Sequence, residues 1–175
     1  MFFIYSRPLK VIVSWIVLAV LFYAFMEIWF RNQKIWKVVN RLLAVFSILV
    51  ILYLTVIKRE AGDKGVSLTP FITFQLAKIE PELYRSMLMN VFLFVPFGLS
   101  FPYLFPEKWK PAGKVLLTVL AGFLLSAGIE AAQYYFHLGL AETDDVIMNT
   151  AGTVFGALHL FTAEFFIHLK NKNKK

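Results

Sequence analysis

Five apolar runs dominate the sequence: Leu9–Phe30, Trp36–Ile57, Met87–Phe105, Ala112–Phe136 and Val146–Leu169. Each approaches the roughly 20 residues that a helix needs to cross the hydrocarbon core of a bilayer. In that medium the chain must satisfy its own backbone polar groups, which long uninterrupted apolar runs do by forming helices. Charged residues are only 17% of the 175-residue chain and hydrophobic ones 59%, so little polar surface is left for a separate soluble domain. The expectation is an all-α, polytopic membrane helix bundle with five transmembrane helices. Residues 1–57 supply two N-terminal helices, 58–86 an extracytoplasmic segment, 87–169 a three-helix core and 170–175 a basic tail. The third run is the weakest, because Pro96 and Pro102 interrupt it and each removes a helix hydrogen bond. The first run lacks a small-x-small cleavage site, so it is expected to be retained as a helix rather than removed as a signal peptide.

Lysine and arginine set the expected orientation. Arg31, Lys34, Lys37 and Arg41 flank the first link; Lys108, Lys110 and Lys114 lie in the third; Lys170, Lys172, Lys174 and Lys175 form the tail. With five spans these regions share one side and hold 11 of the 18 basic residues, against Arg7, Lys10, Lys58, Arg59, Lys64, Lys78 and Arg85 on the other. The N-terminus is therefore expected outside and the C-terminus in the cytoplasm. The net charge of +7 does not point to nucleic acid, since no basic patch is interleaved with stacking aromatics; membrane lipid is the expected partner.

The link 58–86 is more than a tether. In "VSLTPFITF", Leu68, Phe71, Ile72 and Phe74 flank a proline-fixed bend, which suits a partly interfacial or re-entrant segment. A solvated loop with a few apolar anchors is the equal alternative.

Polar residues recur inside the last three runs at helical spacing. Gly122, Ser126, Glu130, Gln133 and His137 share one face of the fourth, and Asp145, Asn149, Gly152, Gly156 and His159 one face of the fifth. The third opens with Ser86 and Asn90, four apart. In the expected orientation Asn90, Glu130, Gln133, Asp144, Asp145 and Asn149 all fall in the outer leaflet. A carboxylate at the centre of a membrane helix costs at least about 2.5–3.5 kcal/mol, so Glu130 should face a partner or a water-filled cavity. Taken singly, most have a purely structural account. Asp144 or Thr143 can cap a helix, Gly152 and Gly156 form a close-packing GxxxG, and Gln133 and Asn149 can bridge helices. Shared face and depth favour a functional cavity. His159 and His168 receive no role, and Glu164 is expected to pair with His168 or a tail lysine.

Three motifs in order, "NVFLFVPFGLSFP", "IEAAQ" and "ETDDVIMNTAGTVFG", resemble the VanZ-like family of bacterial membrane proteins, and "SLTPFITF" resembles the segment preceding that family's core. The resemblance covers about Val66 to Leu158. It carries the family's motif positions onto Asn90, Pro96, Gly98, Glu130, Gln133, Asp144, Asp145, Asn149, Gly152 and Gly156. Two departures stand out: Glu142 replaces a frequent aspartate, and "HLGLAE" lacks the basic residue that many relatives carry there. If that residue grips an anionic ligand, this chain grips it differently or takes another ligand. The resemblance implies a bacterial cell-membrane location and lowered sensitivity to teicoplanin-type glycopeptide antibiotics.

Two mechanisms stay open. In the first, the cavity binds a lipid-linked cell-envelope component, such as a cell-wall precursor, or a lipophilic glycopeptide, without bond-making. In the second, the chain is a membrane enzyme acting on a lipid-linked or phosphorylated envelope substrate. Glu130, Asp144 and Asp145 then hold Mg²⁺, Mn²⁺ or Ca²⁺ through oxygen ligands, or one carboxylate acts as base. The chain has no cysteine, which removes thiolate nucleophiles and cysteine-ligated metals.

Overall fold

The computed structural model describes residues 8–59, 62 and 65–172. Of the residues in the charge argument, Arg7, Lys64, Lys174 and Lys175 lie outside the described residues. The chain is an all-α bundle. Helix α1 spans Pro8–Phe30, α2 Lys34–Leu52, α3 Ile72–Leu76, α4 Pro81–Ser100, α5 Pro111–Phe136, α6 Thr143–Ala157 and α7 His159–Lys172. The segments Lys34–Ile57, Glu82–Leu104, Pro111–Phe136 and Thr143–Lys172 are long and apolar enough to cross a membrane, and Ser14–Phe30 is a shorter apolar helix. Many large apolar side chains point outward, Trp15, Phe22, Phe46, Leu116 and Tyr135 among them, as a lipid-facing surface requires.

The predicted boundaries move at three places, each for a local reason. Span three begins at Pro81, not Met87, because proline at the first helical position gives up only an N–H that has no intrahelical partner. It ends in a 3-10 turn, Phe101–Leu104, as Pro102 cannot continue the α-helical ladder. The predicted fifth span is two helices, α6 and α7, separated at Leu158. Span two ends in a π-helical turn, Tyr53–Ile57, closed by the Lys58 N–H on the Tyr53 carbonyl at 2.8 Å.

Helix α4 packs most intimately on α6, and α5 on α6 next. Glycine makes both contacts possible. A Cβ at Gly152 would stand 2.2 Å from the Val91 carbonyl oxygen, one at Gly98 2.3 Å from that of Thr153, and one at Gly156 2.4 Å from that of Val95. Only bare backbone fits there. Across the other seam, a Cβ at Gly122 would meet the Thr153 hydroxyl at 2.4 Å. Apolar clusters fill the remaining core, one around Ile51, Phe94, Phe97 and Ile129, the other around Ile16, Val91, Val95 and Leu99.

The first and third basic links gather at one end. Arg31 pairs with Glu164 at 3.0 Å, Lys37 with Glu107 at 2.8 Å, and the Arg41 Nε–H donates to the Tyr103 carbonyl at 3.1 Å. Glu164 thus pairs across helices with Arg31, rather than with His168 or the tail as the sequence suggested.

At the other end lies a feature that periodicity did not reveal. Strands β1 (Gly65–Ser67) and β2 (Leu140–Glu142) pair in parallel, with Val66 opposite Ala141. Helix α5 delivers the chain to β2 through a left-handed residue, His137 at φ 57°, followed by Gly139 at φ 114°. The Leu138 N–H returns to the Gln133 carbonyl at 2.8 Å, closing the end of α5. His137 therefore leaves the α5 stripe and becomes its exposed terminus.

Candidate functional site

The residues singled out from the sequence meet at the strand-bearing end, where α4, α5, α6, β1, β2 and α3 converge. Glu130, on α5 and 8% exposed, accepts the backbone N–H of Glu142 at 2.9 Å through Oε2. Its carboxylate thereby fixes the start of α6 against the end of α5. One turn deeper, the Asn149 amide donates to the Ser126 hydroxyl at 2.8 Å. The Gln133 amide donates to the Thr55 carbonyl at 2.9 Å, reaching the π-helical turn that ends span two.

Asp144 does something the sequence did not suggest. It does not cap its own helix. The residue preceding α6, Glu142, makes no side-chain capping bond. Asp144 is 1% exposed and its two oxygens accept the N–H groups of Phe71 at 2.5 Å and Thr73 at 2.8 Å. This holds Phe71 in the left-handed region, φ 63°, a conformation unfavourable for a residue with a Cβ. The Pro-Phe segment is thus fastened to the end of α6 by one buried carboxylate. Leu68, Phe71 and Ile79 remain exposed along it.

Asp145 is half-buried on the adjacent face, beside the Asn90 amide of α4, and interacts electrostatically with Glu130 and Glu142. Among the described residues Asn90 Nδ2 nevertheless makes no hydrogen bond of ordinary geometry, and Gln133 Oε1 and Asn149 Oδ1 are likewise buried without a partner. Buried polar atoms are nearly always bonded, so these three stand out from the packed core around them. Glu142 lies outside the helices; its burial first, then the Asp144 carboxylate, push its carboxyl above the ordinary 4.5. Arg59 was not singled out from the sequence. It lies against Gly139 and in electrostatic range of Glu130, Glu142 and Asp145. It brings a cation to the "HLGLAE" turn from the far end of span two.

A pocket of about 300 Å³ opens beside these acids, lined by Leu68, Ala127, Glu130, Tyr134, Glu142 and Val146 among others. Its walls are mostly apolar, and its polar side chains are the carboxylates of Glu130 and Glu142 and the hydroxyls of Tyr134 and Thr143. A second groove, about 320 Å³ between α1, α2 and α4, is lined almost wholly by apolar residues and touches only Pro96 of the predicted set. Only the first adjoins the carboxylates singled out from the sequence. Among the described residues no three His, Cys, Asp or Glu side chains converge as metal ligands. Of the three candidates, Asp144 has both oxygens engaged by backbone, and of the other two only Glu130 lines the pocket.

The opposite end holds a second buried polar network that sequence reasoning missed. Glu27, 8% exposed, accepts from the Trp36 indole at 2.7 Å and the Tyr103 hydroxyl at 2.5 Å. His159 is fully buried; its Nδ1 bonds the Gly156 carbonyl at 2.8 Å, and its ring stacks on Tyr103. The Tyr23 hydroxyl donates to Asn40, whose amide donates to the Trp36 carbonyl at 2.7 Å. Together these ties join α1, α2, the 3-10 turn after α4, and the α6–α7 junction.

Comparison with known proteins agrees with the motif resemblance. The family described as VanZ/LLP1 matches residues 11–165. The chain is 27% identical to "Protein VanZ" of Enterococcus faecium over 129 residues, 69% of this chain and 72% of that relative. No solved structure matches it at a significant level.

Proposed function

The chain belongs to the VanZ/LLP1 family of membrane proteins, and we propose that it binds an amphiphilic cell-envelope molecule in its Glu130–Glu142 pocket. That molecule is a lipid-linked envelope component or a lipophilic glycopeptide, and its capture lowers sensitivity to teicoplanin-type antibiotics. The pocket faces outward, with the N-terminus outside and the C-terminus in the cytoplasm. The gathering of the first and third basic links at the opposite end supports this orientation.

The observation that carries the reading is the pocket itself. Apolar walls of Ala127, Ala131 and Val146 end in the carboxylates of Glu130 and Glu142. Concave apolar sites with a few placed polar groups are the common form of small-molecule sites. Val66 and Leu68, which close one side, belong to the segment fastened by Asp144 and the β1–β2 pairing. The segment serves as a flap whose hinges are those two attachments.

The test is the antibiotic sensitivity of bacteria carrying the chain or its variants at matched membrane levels. Binding without bond-making predicts that Glu130→Gln, which keeps an acceptor for the Glu142 N–H, retains most of the protection. A bulky Ala131→Trp should fill the pocket and abolish it. Complete loss in a normally inserted Glu130→Gln protein would favour carboxylate or carboxylate–metal catalysis instead.

A further inference from the structure

Independently of what the pocket holds, we propose that the segment 66–79 docks on the lipid bilayer itself, with Leu68, Phe71 and Ile79 set into the edge of the hydrocarbon.

The segment is tethered close to the bilayer surface on both sides. It follows the membrane-long stretch that ends at Ile57 and runs into α4 at Pro81, two residues after Ile79. Chain that enters lipid must satisfy its own backbone polar groups, because no water is there to do so. Asp144 takes the N–H groups of Phe71 and Thr73, at 2.5 and 2.8 Å. The Ala77 N–H donates to the Thr73 carbonyl at 2.8 Å and that of Lys78 to Gln75 at 3.3 Å. Ile79 and Glu80 both donate to the Leu76 carbonyl at 2.9 Å, and Pro70 has no N–H to satisfy. A loop built for water needs no such closure, since water itself supplies the partners.

The side chains are turned the other way. Leu68 is 76% exposed and Ile79 80%, although the backbone that carries them is closed on itself and on α6. Phe71 is exposed too, and its ring packs on that of Phe74 with centroids 5.8 Å apart. An exposed apolar patch rimmed by charge marks a protein or membrane contact. This one continues the lipid-facing surface of the flanking helices, where Ile57 and Met89 are also exposed. Lys58, Arg59, Lys78 and Arg85 bracket it, with Glu80 and Glu82 among them. Their long stems let the cationic ends reach lipid phosphate while the neighbouring apolar side chains lie lower. The Asp144 clamp then has a second consequence: it hides the two N–H groups that would otherwise hold the Phe71 turn in water.

The chain's lack of cysteine supplies the experiment. Leu68→Cys and, separately, Ile79→Cys carry a small fluorophore on the full-length protein, one copy to a phosphatidylcholine nanodisc. Leu116→Cys on the exposed face of α5 is the lipid reference, and Lys110→Cys in the basic link the water reference. Chain-brominated phosphatidylcholine quenches from the lipid side and iodide from the water side. The proposal expects the labels at 68 and 79 to be quenched by bromine at least half as strongly as the Leu116 site. Iodide should quench them several-fold less than the Lys110 site. Adding Asp144→Ala should expose the clamped N–H groups and draw the segment into water, so that bromine quenching falls and iodide quenching rises several-fold. Asp144→Asn should fall between, and serves alone if the alanine variant does not insert. Iodide quenching at the Lys110 level without bromine quenching would show a solvated loop and overturn the proposal. Shielding from both quenchers would show the patch closed against protein, which overturns it too. Bromine quenching indifferent to both Asp144 variants would be the label's own partitioning, and would equally overturn it.

Discussion

The carboxylate of Asp144 holds the backbone of Phe71: Oδ1 accepts the Phe71 N–H at 2.5 Å across 73 residues of sequence, while Oδ2 accepts that of Thr73. One buried acid thereby couples the start of α6 to a residue with a left-handed backbone.

Replacing Asp144 by Ala should release that segment. Each buried N–H left without an acceptor costs about 1–3 kcal/mol, enough to open a short loop without unfolding the bundle. Hydrogen exchange should accelerate at Phe71 and Thr73 and leave the α4–α6 core protected. Asp144→Asn, which offers one acceptor oxygen rather than two, should fall between. Unchanged protection at both amides would show that the clamp does not hold the flap.

Glycine substitutions should separate close packing from mere helix preference. Gly152→Ala would press a methyl onto the Val91 carbonyl, so α4 and α6 must separate and the thermal midpoint should fall steeply. Gly128, in the same kind of helix, has nothing within 4 Å of a built Cβ. Gly128→Ala should be neutral or stabilising, by up to about 1 kcal/mol, from helix propensity alone. Equal effects of the two changes would refute the packing account.

The pH dependence follows from Glu142. Its carboxyl is raised above the ordinary 4.5 in the fold, so the folded state holds the proton more tightly than the unfolded chain does. Stability is therefore greatest below the ordinary value and declines as the pH rises through the interval up to the raised value. Glu142→Gln removes the titration and should flatten that part of the profile, as read by unfolding in detergent micelles. A wild-type profile with the opposite slope there, unaltered by the variant, would contradict the sign.

The buried network around Glu27 should behave as a unit. Tyr103→Phe and Glu27→Gln each disturb a hydrogen bond to a carboxylate, of a kind worth about 1.5–3 kcal/mol. Because they share that bond, the double variant should cost clearly less than the two single costs added. Simple additivity would mean that the contact contributes nothing between them.

How much of this was legible in the sequence depended on whether a feature repeats. The bundle and the stripes were legible because Ser126, Glu130 and Gln133, like Asn149, Gly152 and Gly156, recur at helical spacing. The β1–β2 pair was not, since three residues give no period and its partner lies more than 70 residues away. Asp144 next to Asp145 looked like a helix cap, and only the position of Phe71 distinguishes a cap from a clamp. Glu27 was not legible either. Its burial depends on Trp36 and Tyr103 arriving from two other elements. Arg59 was counted for orientation alone, and only the fold places it against Gly139.

The most direct test of the pocket is an electron-density map of the full chain crystallised from a lipid phase. The account predicts chain-like density along Ala127, Ala131 and Val146, with its polar end within hydrogen-bond distance of Glu130 or Glu142. A pocket collapsed on its own side chains, or holding only water beside Glu130, would contradict it.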